Sequence, residues 1–244
     1  MTIRILVNGA AGKMGLVTVK TIIAEPELEL VGQTGRGDDL GEMIRETRAQ
    51  VVVEFTQPKV VYENTLAIIA AGARPVVGTT GLSSQQIKKL QERCNKLRRG
   101  GIIAPNFSLG MVLMMKYAAE FAKYFPQVEI IEMHHDRKKD APSGTALYTA
   151  EMMAASRSRP GKGATALHET VPGSRGANHL GIPIHAIRLP GLVAHEQIIF
   201  GDIGETLTLR HDTIDRQCFM RGVVLACKKV MKLKKLVYGL EQVL

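Results

Sequence analysis

Residues 3–15, which read Ile-Arg-Ile-Leu-Val-Asn-Gly-Ala-Ala-Gly-Lys-Met-Gly, decide the fold of this 244-residue chain. The apolar run 3–7 is typical of a strand buried on both faces, and a helical pattern extends over 13–24. Between the two, the loop 9–15 has a GxxGxxG spacing. Glycine permits a tight turn and lets the backbone approach a pyrophosphate, whose charge the N–H groups at a helix start can bind. The stretch therefore predicts a dinucleotide-binding turn, although a glycine-rich turn that binds nothing has the same local pattern.

Short apolar runs alternate with helical patterns through the first part of the chain. Further strands are predicted at 29–33, 51–55, 75–78 and 102–104, and further helices at 59–71 and 84–97. Continuously apolar strands separated by helices predict a parallel sheet that is covered on both faces. The predicted fold class is α/β, with a Rossmann-like doubly wound parallel sheet.

The pattern changes after Leu109. Helices are predicted at 110–124 and 144–156, strands at 128–133, 183–188, 196–200 and 205–210, and a mobile loop at 157–180. Strands grouped after helices are typical of an α+β domain. A last helix over 216–232 is expected to pack back on the first domain. The predicted domains are residues 1–107 with 216–244, and residues 108–215.

The net charge limits the function classes. Lys and Arg number 32 and Asp and Glu number 23, so the formal net charge is +9. This balance suits a nucleic-acid binder, a membrane-surface binder or an enzyme for polyanionic ligands. Aromatic residues are only 5% of the chain, which disfavours a nucleic-acid partner, and no apolar run approaches the roughly 18 residues of a membrane span. We therefore expect a small-molecule enzyme with no nucleic-acid and no membrane partner.

The cysteines indicate the redox environment. Cys94, Cys218 and Cys227 show no CxxC spacing and no histidine at metal-ligand spacing. An odd count without a framework is typical of reduced thiols, so a cytoplasmic location and no metal site are predicted.

Small and polar residues follow three predicted strands at their carboxyl ends. The segments are Phe55-Thr56, residues 78–81 and residues 104–108. Ligands of open α/β sheets bind at this edge. One such segment could be turn chemistry alone, but several at one edge favour a binding site.

The end of the second predicted strand bears on the choice of cofactor. Folds that bind NAD usually have Asp or Glu there, which hydrogen-bonds the ribose 2′-hydroxyl. The segment 33–37 reads Gln-Thr-Gly-Arg-Gly, so the acid is absent and Arg36 is present. Because arginine suits a 2′-phosphate, NADPH is the favoured cofactor and NADH is possible but less favoured. The alternative is that Arg36 is an exposed loop cation.

The stretch 132–145 reads Glu-Met-His-His-Asp-Arg-Lys-Lys-Asp-Ala-Pro-Ser-Gly-Thr and follows a predicted strand. His134 can transfer a proton near neutral pH, and Lys138 supplies a positive charge or a proton. The helix start at 143–145 offers amides and hydroxyls to an anion. A solvated polar loop with Ser143 as an N-cap is the alternative, and a metal site is disfavoured because adjacent histidines point apart.

The run His134-His135-x-x-Lys138-x-Asp140-Ala-Pro-Ser-Gly-Thr-Ala resembles the signature of the dihydrodipicolinate reductase (4-hydroxy-tetrahydrodipicolinate reductase) family. The resemblance extends to the loop 9–15 and to segments 77–81, 104–110 and 200–205. It implies a two-domain, usually tetrameric enzyme of lysine and diaminopimelate biosynthesis. Such an enzyme reduces the dehydrated form of 4-hydroxy-tetrahydrodipicolinate to tetrahydrodipicolinate with NAD(P)H. The second domain would bind the dicarboxylate substrate and form the homotetramer.

The resemblance also implies residue roles. His134 would be the catalytic acid or base and Lys138 the proton donor. The implied contacts to the substrate carboxylates are His135, Ser143, Gly144 and Thr145. The candidate cofactor contacts, from the resemblance and the strand ends together, are Gly9, Ala10, Ala11, Gly12, Lys13, Met14, Arg36, Phe55, Gly78, Thr79, Thr80, Ala104, Pro105, Asn106, Phe107 and Arg216.

Two other function classes compete with this interpretation. A dehydrogenase of the aspartate-semialdehyde type needs a cysteine nucleophile on a turn, whereas all three cysteines fall in helical patterns. A redox-sensing protein would bind NADP without catalysis and would not need the His-His-x-x-Lys loop.

Overall fold

The computed structural model describes residues 2–157 and 168–244. The chain divides into two compact units, Met1–Leu109 with Arg216–Leu244, and Gly110–Asp215. In chain order the elements are β1 (Ile3–Asn8), α1 (Lys13–Ala24), β2 (Leu28–Thr34), α2 (Leu40–Thr47), β3 (Val51–Glu54), α3 (Val61–Ala70), β4 (Arg74–Val77), α4 (Ser84–Lys96), β5 (Gly101–Ile103), α5 (Leu109–Phe121), β6 (Gln127–His134), α6 (Gly144–Ser156), β7 (Ala177–His179), β8 (Ile182–Arg188), β9 (Ala194–Asp202), β10 (Glu205–Thr213), α7 (Met220–Lys229) and β11 (Leu236–Tyr238).

The first unit contains a six-stranded sheet in the order β11-β5-β4-β3-β1-β2. Every neighbouring pair of strands in it is parallel. The centres of β1 and β3 are fully buried because each is a continuous apolar run with helices packed on the sheet. Strand β1 lies between β2 and β3, so the order reverses there and the carboxyl ends of β1 and β3 form the switch point at which such sheets bind ligands. The predicted Rossmann-like sheet is confirmed.

The second unit contains a five-stranded mixed sheet in the order β10-β9-β6-β8-β7. Strands β6 and β8 are parallel, and the other neighbours are antiparallel. Burial alternates along β6, where Val128, Ile130 and Glu132 are buried and the intervening residues are partly exposed. The predicted α+β character is confirmed, and one face of β6 points Glu132 and His134 in the same direction.

Three elements escaped the sequence-based prediction. Helix α2 is short and is capped by Asp39, whose carboxylate accepts a hydrogen bond from the amide of Glu42. The predicted tail helix forms as α7, which is flanked by two short 3-10 helices. After it, the unpredicted strand β11 forms one edge of the first sheet.

The third element is β7, within the predicted mobile loop. Residues 158–167 of that loop lie outside the described part of the chain. Strand β7 pairs with β8 through a two-residue turn, in which Leu180 and Gly181 both have positive φ. Because leucine rarely occupies that conformation, the turn carried no recognisable signal, and the prediction of a loop as far as Leu180 was wrong.

No helix within residues 2–157 and 168–244 combines the length and the apolar character needed to cross a bilayer.

Candidate active site

The glycine turn that follows β1 is built around close backbone contacts. Gly9 has φ +83°, and a Cβ atom there would overlap the carbonyl oxygen of Phe55. A Cβ at Gly15 would overlap the carbonyl oxygen of Gly9, so α1 packs directly on the turn. Gly12 is the N-cap of α1 and has no side chain to cover the first N–H groups. The turn therefore fits a pyrophosphate, which needs close backbone approach and open amides.

Backbone hydrogen bonds connect the carboxyl ends of β1, β2 and β3. The amides of Gly9 and Ala10 donate to the carbonyl of Thr34 at 2.8 and 3.1 Å, and the amide of Phe55 donates to the carbonyl of Asn8 at 3.0 Å. The exposed residues of the turn, Ala11 to Lys13, thus lie beside the ends of β2 and β3.

Three further candidate residues meet at the same edge. The rings of Phe55 and Phe107 contact edge to face, with 5.8 Å between centroids. A Cβ at Gly78 would overlap the Phe55 ring and approach the Phe107 ring. Glycine is therefore required at this position for the two aromatic rings to pack over the end of β4.

Glu54, a fully buried carboxylate at the end of β3, was not among the predicted site residues. It accepts hydrogen bonds from the hydroxyls of Thr56 and Thr79 and, at 3.1 Å, from the amide of Asn64. Thr79 is one of the candidate cofactor contacts. Glu54 thus holds the loops after β3 and β4, and its polar character inside an otherwise apolar strand was the available signal.

Arg36 lies in an exposed turn after β2. In that turn the carboxylate of Asp38 accepts a hydrogen bond from the amide of Gly35 at 2.8 Å. The nearest acidic group after Arg36 is therefore engaged with the backbone. Arg216 is also exposed and opens a short 3-10 helix that contacts α1.

The remaining candidates lie in the second unit, where Glu132 organises them. Its side chain is fully buried, and its Oε2 lies 2.5 Å from Nδ1 of His134. The Arg188 guanidinium donates to both carboxylate oxygens, at 2.7 and 2.9 Å, and the amide of Ser143 donates to Oε1 at 3.0 Å. Burial by itself would raise the pKa of Glu132, but the hydrogen bonds and charges of His134 and Arg188 outweigh it and hold the pKa below its ordinary value.

The charge state of Glu132 assigns the proton on His134. An ionised carboxylate only accepts hydrogen bonds, so Nδ1 of His134 carries the proton that they share. The other ring nitrogen, Nε2, is then the atom that can exchange a proton with a ligand. The His134 side chain is 16% exposed, which leaves it within reach of one.

Lys138 is held by the neighbouring acid. Its Nζ lies 2.7 and 2.8 Å from the two carboxylate oxygens of Asp140, and the lysine side chain is much less exposed than the aspartate. Burial would raise the pKa of Asp140, but the hydrogen bond and charge of Lys138 lower it overall. The ammonium group therefore has a fixed counter-ion and a defined position.

The start of α6 has a buried and an exposed side. Ser143 is the buried N-cap, and its Oγ accepts a hydrogen bond from the amide of Ala146 at 3.2 Å. Gly144 is exposed, and a Cβ there would meet nothing within 4 Å. In the loop after β6, Nδ1 of His135 is buried with no hydrogen-bond partner among the described residues. Ser143 is thus the predicted cap, and the space in front of Gly144 is open to an anion.

A second buried carboxyl group, Glu196 on β9, was also missed. It is the register partner of Glu132, and burial, with the nearby charge of Glu132, raises its pKa to about 7. Thr149 Oγ1 lies 2.7 Å from Glu196 Oε1 and 2.9 Å from the carbonyl oxygen of Thr145. A hydroxyl has one proton to donate, so both contacts are satisfied when Glu196 carries a proton. The geometry and the pKa agree on a neutral Glu196.

Two of the three cysteines are unsuited to nucleophilic chemistry. All three are free thiols, and Cys94 and Cys227 are completely buried. Burial raises the pKa of Cys94 to about 11 and that of Cys227 to about 12. Thiols of this kind are inert. In the described ranges, no group of three or more His, Cys, Asp or Glu side chains is placed to hold a metal ion.

Comparison with known proteins gives a consistent result over the whole chain. Residues 3–107 match the family described as "Dihydrodipicolinate reductase, N-terminus", and residues 110–244 match "Dihydrodipicolinate reductase, C-terminus". The chain is 54% identical over 244 residues to a 4-hydroxy-tetrahydrodipicolinate reductase of Legionella pneumophila (strain Lens), and 54% identical over 248 residues to one of Coxiella burnetii (strain Dugway 5J108-111). Both alignments cover 100% of each protein. The solved structure of a dipicolinate-bound dihydrodipicolinate reductase from Paenisporosarcina sp. TG-14 is 42% identical, with a TM-score of 0.88 and 100% of both chains covered.

Proposed function

The chain belongs to the dihydrodipicolinate reductase family, and from that premise we propose that it reduces 4-hydroxy-tetrahydrodipicolinate, through its dehydrated form, to tetrahydrodipicolinate with NADPH as the preferred cofactor. As a member of the family it is an oxidoreductase of lysine and diaminopimelate biosynthesis that uses a nicotinamide cofactor. The preference for NADPH and the residue roles below are part of the proposal.

In the proposal, the first unit binds the dinucleotide. The amides of Gly9, Ala10 and Gly12 are bonded within the chain, so those of Ala11, Lys13 and Met14 bind the pyrophosphate, with the Lys13 side chain adding a positive charge. Arg36 binds the 2′-phosphate through its guanidinium; in the same turn, one carboxylate oxygen of Asp38 accepts the hydrogen bond of the Gly35 amide. Residues 78–80 and 104–107, with Phe55, border the nicotinamide end, and Arg216 contacts the cofactor from the 3-10 helix beside α1.

The second unit binds the dicarboxylate. The amides at the start of α6 and the positive end of the helix macrodipole attract a carboxylate in front of Gly144 and Thr145. His135 and the Ser143 hydroxyl add hydrogen-bond donors. The open space at Gly144, where a Cβ would meet nothing within 4 Å, leaves room for the anion and supports this role.

The observation that carries the proposal is the Glu132–His134 pair beside the start of α6. When bound, the nicotinamide cofactor supplies a hydride to the substrate ring. One proton must accompany the hydride: Lys138 delivers it to the substrate, and His134, which holds its own proton on Nδ1 against Glu132, acts through Nε2 as the acid or base that returns this proton to the site. A carboxylate-binding helix start next to a proton donor suits a dicarboxylate that gains a hydride and a proton.

Product identification tests the proposal. Purified protein is given NADPH and substrate that is formed in the cuvette by the preceding synthase. We expect loss of the reduced nicotinamide absorbance that depends on substrate, with tetrahydrodipicolinate found by mass spectrometry. Tight NADPH binding without any turnover would instead favour a redox-sensing protein.

We also propose that the enzyme is a homotetramer, likewise by its family membership. One face of the second sheet, opposite to Glu132, presents Ile131, Met133, Ile187 and Ile199, none of which is fully buried within the chain. Glu129 and His185 share this face, and the apolar side chains beside them support self-association. Light scattering coupled to size-exclusion chromatography measures it, and a monomer would contradict it. A cytoplasmic location, in which free thiols persist, completes the proposal.

A further inference from the structure

We propose that Glu132 is a positioning residue for proton transfer: its buried carboxylate fixes the His134 ring so that Nε2 is the atom presented to the substrate. The inference rests on the proposed function, since it gives His134 its partner in the same reaction. Glu132 itself need not touch the substrate, because its side chain is fully buried.

The carboxylate is held rigidly enough to act in this way. Each of its oxygens accepts two hydrogen bonds from described residues, Oε1 from Ser143 and Arg188, and Oε2 from His134 and Arg188. Three of these four donors lie on other parts of the unit, on β8 and at the start of α6. Glu132 therefore cannot change rotamer without losing several contacts, and the ring that it holds is restrained with it.

Arg188 compensates the negative charge of the buried Glu132 carboxylate. A carboxylate buried with a histidine alone would bear a large desolvation cost, which the bidentate guanidinium offsets. The same guanidinium donates to the carbonyl oxygen of Asp140 at 2.7 Å. Arg188 thus connects Glu132 to the loop of the proposed proton donor, Lys138, and one ion pair supports both proton-transferring groups.

The chain contains a matched comparison for Glu132. Glu129 lies on the same strand but on the opposite face, and it also accepts hydrogen bonds from an arginine, Arg175, and a histidine, His185. None of these three residues has a proposed part in the reaction. Loss of a carboxylate from an Arg–Glu–His cluster can therefore be measured at two places, of which only one is expected to affect catalysis.

The experiment compares Glu132→Gln and Glu129→Gln in the full-length protein. Loss of a carboxylate that orients a catalytic histidine can cost as much as about 10⁴-fold in kcat, so we expect kcat of Glu132→Gln to fall by at least about tenfold while its KM for NADPH changes little. Glu129→Gln should keep kcat within about threefold of wild type, even if its melting temperature falls as much as that of Glu132→Gln. Equal loss of kcat in both variants would overturn the proposal, because it would mark Glu132 as an ordinary structural ion pair.

A double-mutant cycle shows whether Glu132 acts through His134. In the His134→Gln background, the added Glu132→Gln change should lower kcat by less than about threefold, since the ring it positions is already gone. A further fall as large as in the wild-type background would contradict the proposal. Glu132→Asp tests rescue: it keeps the charge for Arg188 and is expected to regain part of the lost kcat.

Histidine NMR provides a readout that does not depend on how well the variants fold. In wild-type protein with ¹⁵N-labelled histidine, assigned with His134→Gln, we expect Nδ1 of His134 to carry a proton at neutral pH. An unprotonated Nδ1 would overturn the proposal. If the wild-type protein shows no turnover, the reductase assignment fails, whereas the NMR result still decides whether Glu132 orients the ring.

Discussion

Glu132 and Glu196 are register partners on β6 and β9, and their pKa values are shifted in opposite directions, that of Glu132 downward and that of Glu196 upward to about 7. Glu132 accepts hydrogen bonds from an arginine, a histidine and an amide, so it stays ionised. Glu196 contacts the Thr149 hydroxyl, and its buried position favours the neutral form. Two carboxyl groups this close are tolerated because only one of them is charged.

Glu196 makes the stability of the protein depend on pH. Its native pKa of about 7 lies above the ordinary value of 4.5, so its contribution is present at low pH and is lost as the pH rises through 7. We expect the free energy of unfolding of wild type to fall, relative to Glu196→Gln, by up to about 3 kcal/mol from pH ~5 to pH ~8. Urea unfolding at the two pH values measures this difference.

The comparison with Glu196→Gln isolates this one group. Glu132 has the opposite sign, because a lowered pKa contributes stability that is lost as the pH falls. His211, the partner of Glu196 on β10, also has a lowered pKa, chiefly through burial. Glu132 and His211 are present in both wild type and Glu196→Gln, so their contributions to the free energy of unfolding cancel in the comparison. The exposed Glu205→Gln is the control, and a pH dependence of Glu196→Gln equal to that of wild type would refute a neutral Glu196.

The glycine turn makes a prediction for cofactor binding. Gly9→Ala adds a methyl group that overlaps the Phe55 carbonyl at a positive φ, so the turn must shift. We expect the NADPH dissociation constant, measured by fluorescence titration, to rise at least tenfold, since a loss of about 1.4 kcal/mol of binding free energy raises it tenfold. Gly201→Ala is the matched control, because a Cβ there meets nothing within 4 Å. NADPH affinity unchanged by Gly9→Ala would exclude the turn as the pyrophosphate site.

The proposed contact of Arg36 with the 2′-phosphate leads us to expect that this residue sets the preference for NADPH over NADH. Arg36→Ala should raise KM for NADPH about tenfold, since a hydrogen bond to a charged group is worth about 1.5–3 kcal/mol. The KM for NADH should stay nearly unchanged, because only NADPH has the 2′-phosphate. Initial rates with both cofactors are measured side by side. Lys89→Ala removes an equally exposed cation on α4 and should change neither KM. A wild-type preference for NADH would contradict the proposed role of Arg36.

Removal of the Lys138 ammonium is expected to lower the rate of the chemical step. Lys138→Met keeps most of the side-chain volume and removes the ammonium, so kcat should fall about 10²–10⁴-fold, the usual contribution of a positioned acid. The neighbouring Lys139→Met, also exposed to solvent, is the control and should turn over normally. Equal kcat for the two variants would remove Lys138 from the mechanism.

The sheet of the first unit was predictable because its signal is local. Continuous apolar runs such as the centre of β3 have few alternatives to a buried parallel strand, and the glycine spacing marks the turn that follows β1. Strand β11 was missed because three residues after a lysine-rich segment carry no periodicity of their own. Its pairing with β5 is decided by tertiary packing of Leu236 against the core.

The candidate site was predictable only where its residues form a contiguous motif. His134, Lys138 and Ser143 lie in one stretch, whereas Arg188 lies on β8, 56 positions after its partner Glu132. Glu132 had a signal that was overlooked: a charged residue on the buried face of a strand, two positions before a histidine on the same face. Such a residue must have partners, and the histidine is the nearest one.

Proton transfer by His134 is tested by the kcat of His134→Gln, measured with saturating NADPH and substrate formed by the preceding synthase. We expect a fall of about 10²–10⁴-fold with an NADPH dissociation constant close to that of wild type, because glutamine cannot exchange the proton. A variant that turns over within about threefold of wild type would contradict the assignment of proton transfer to His134.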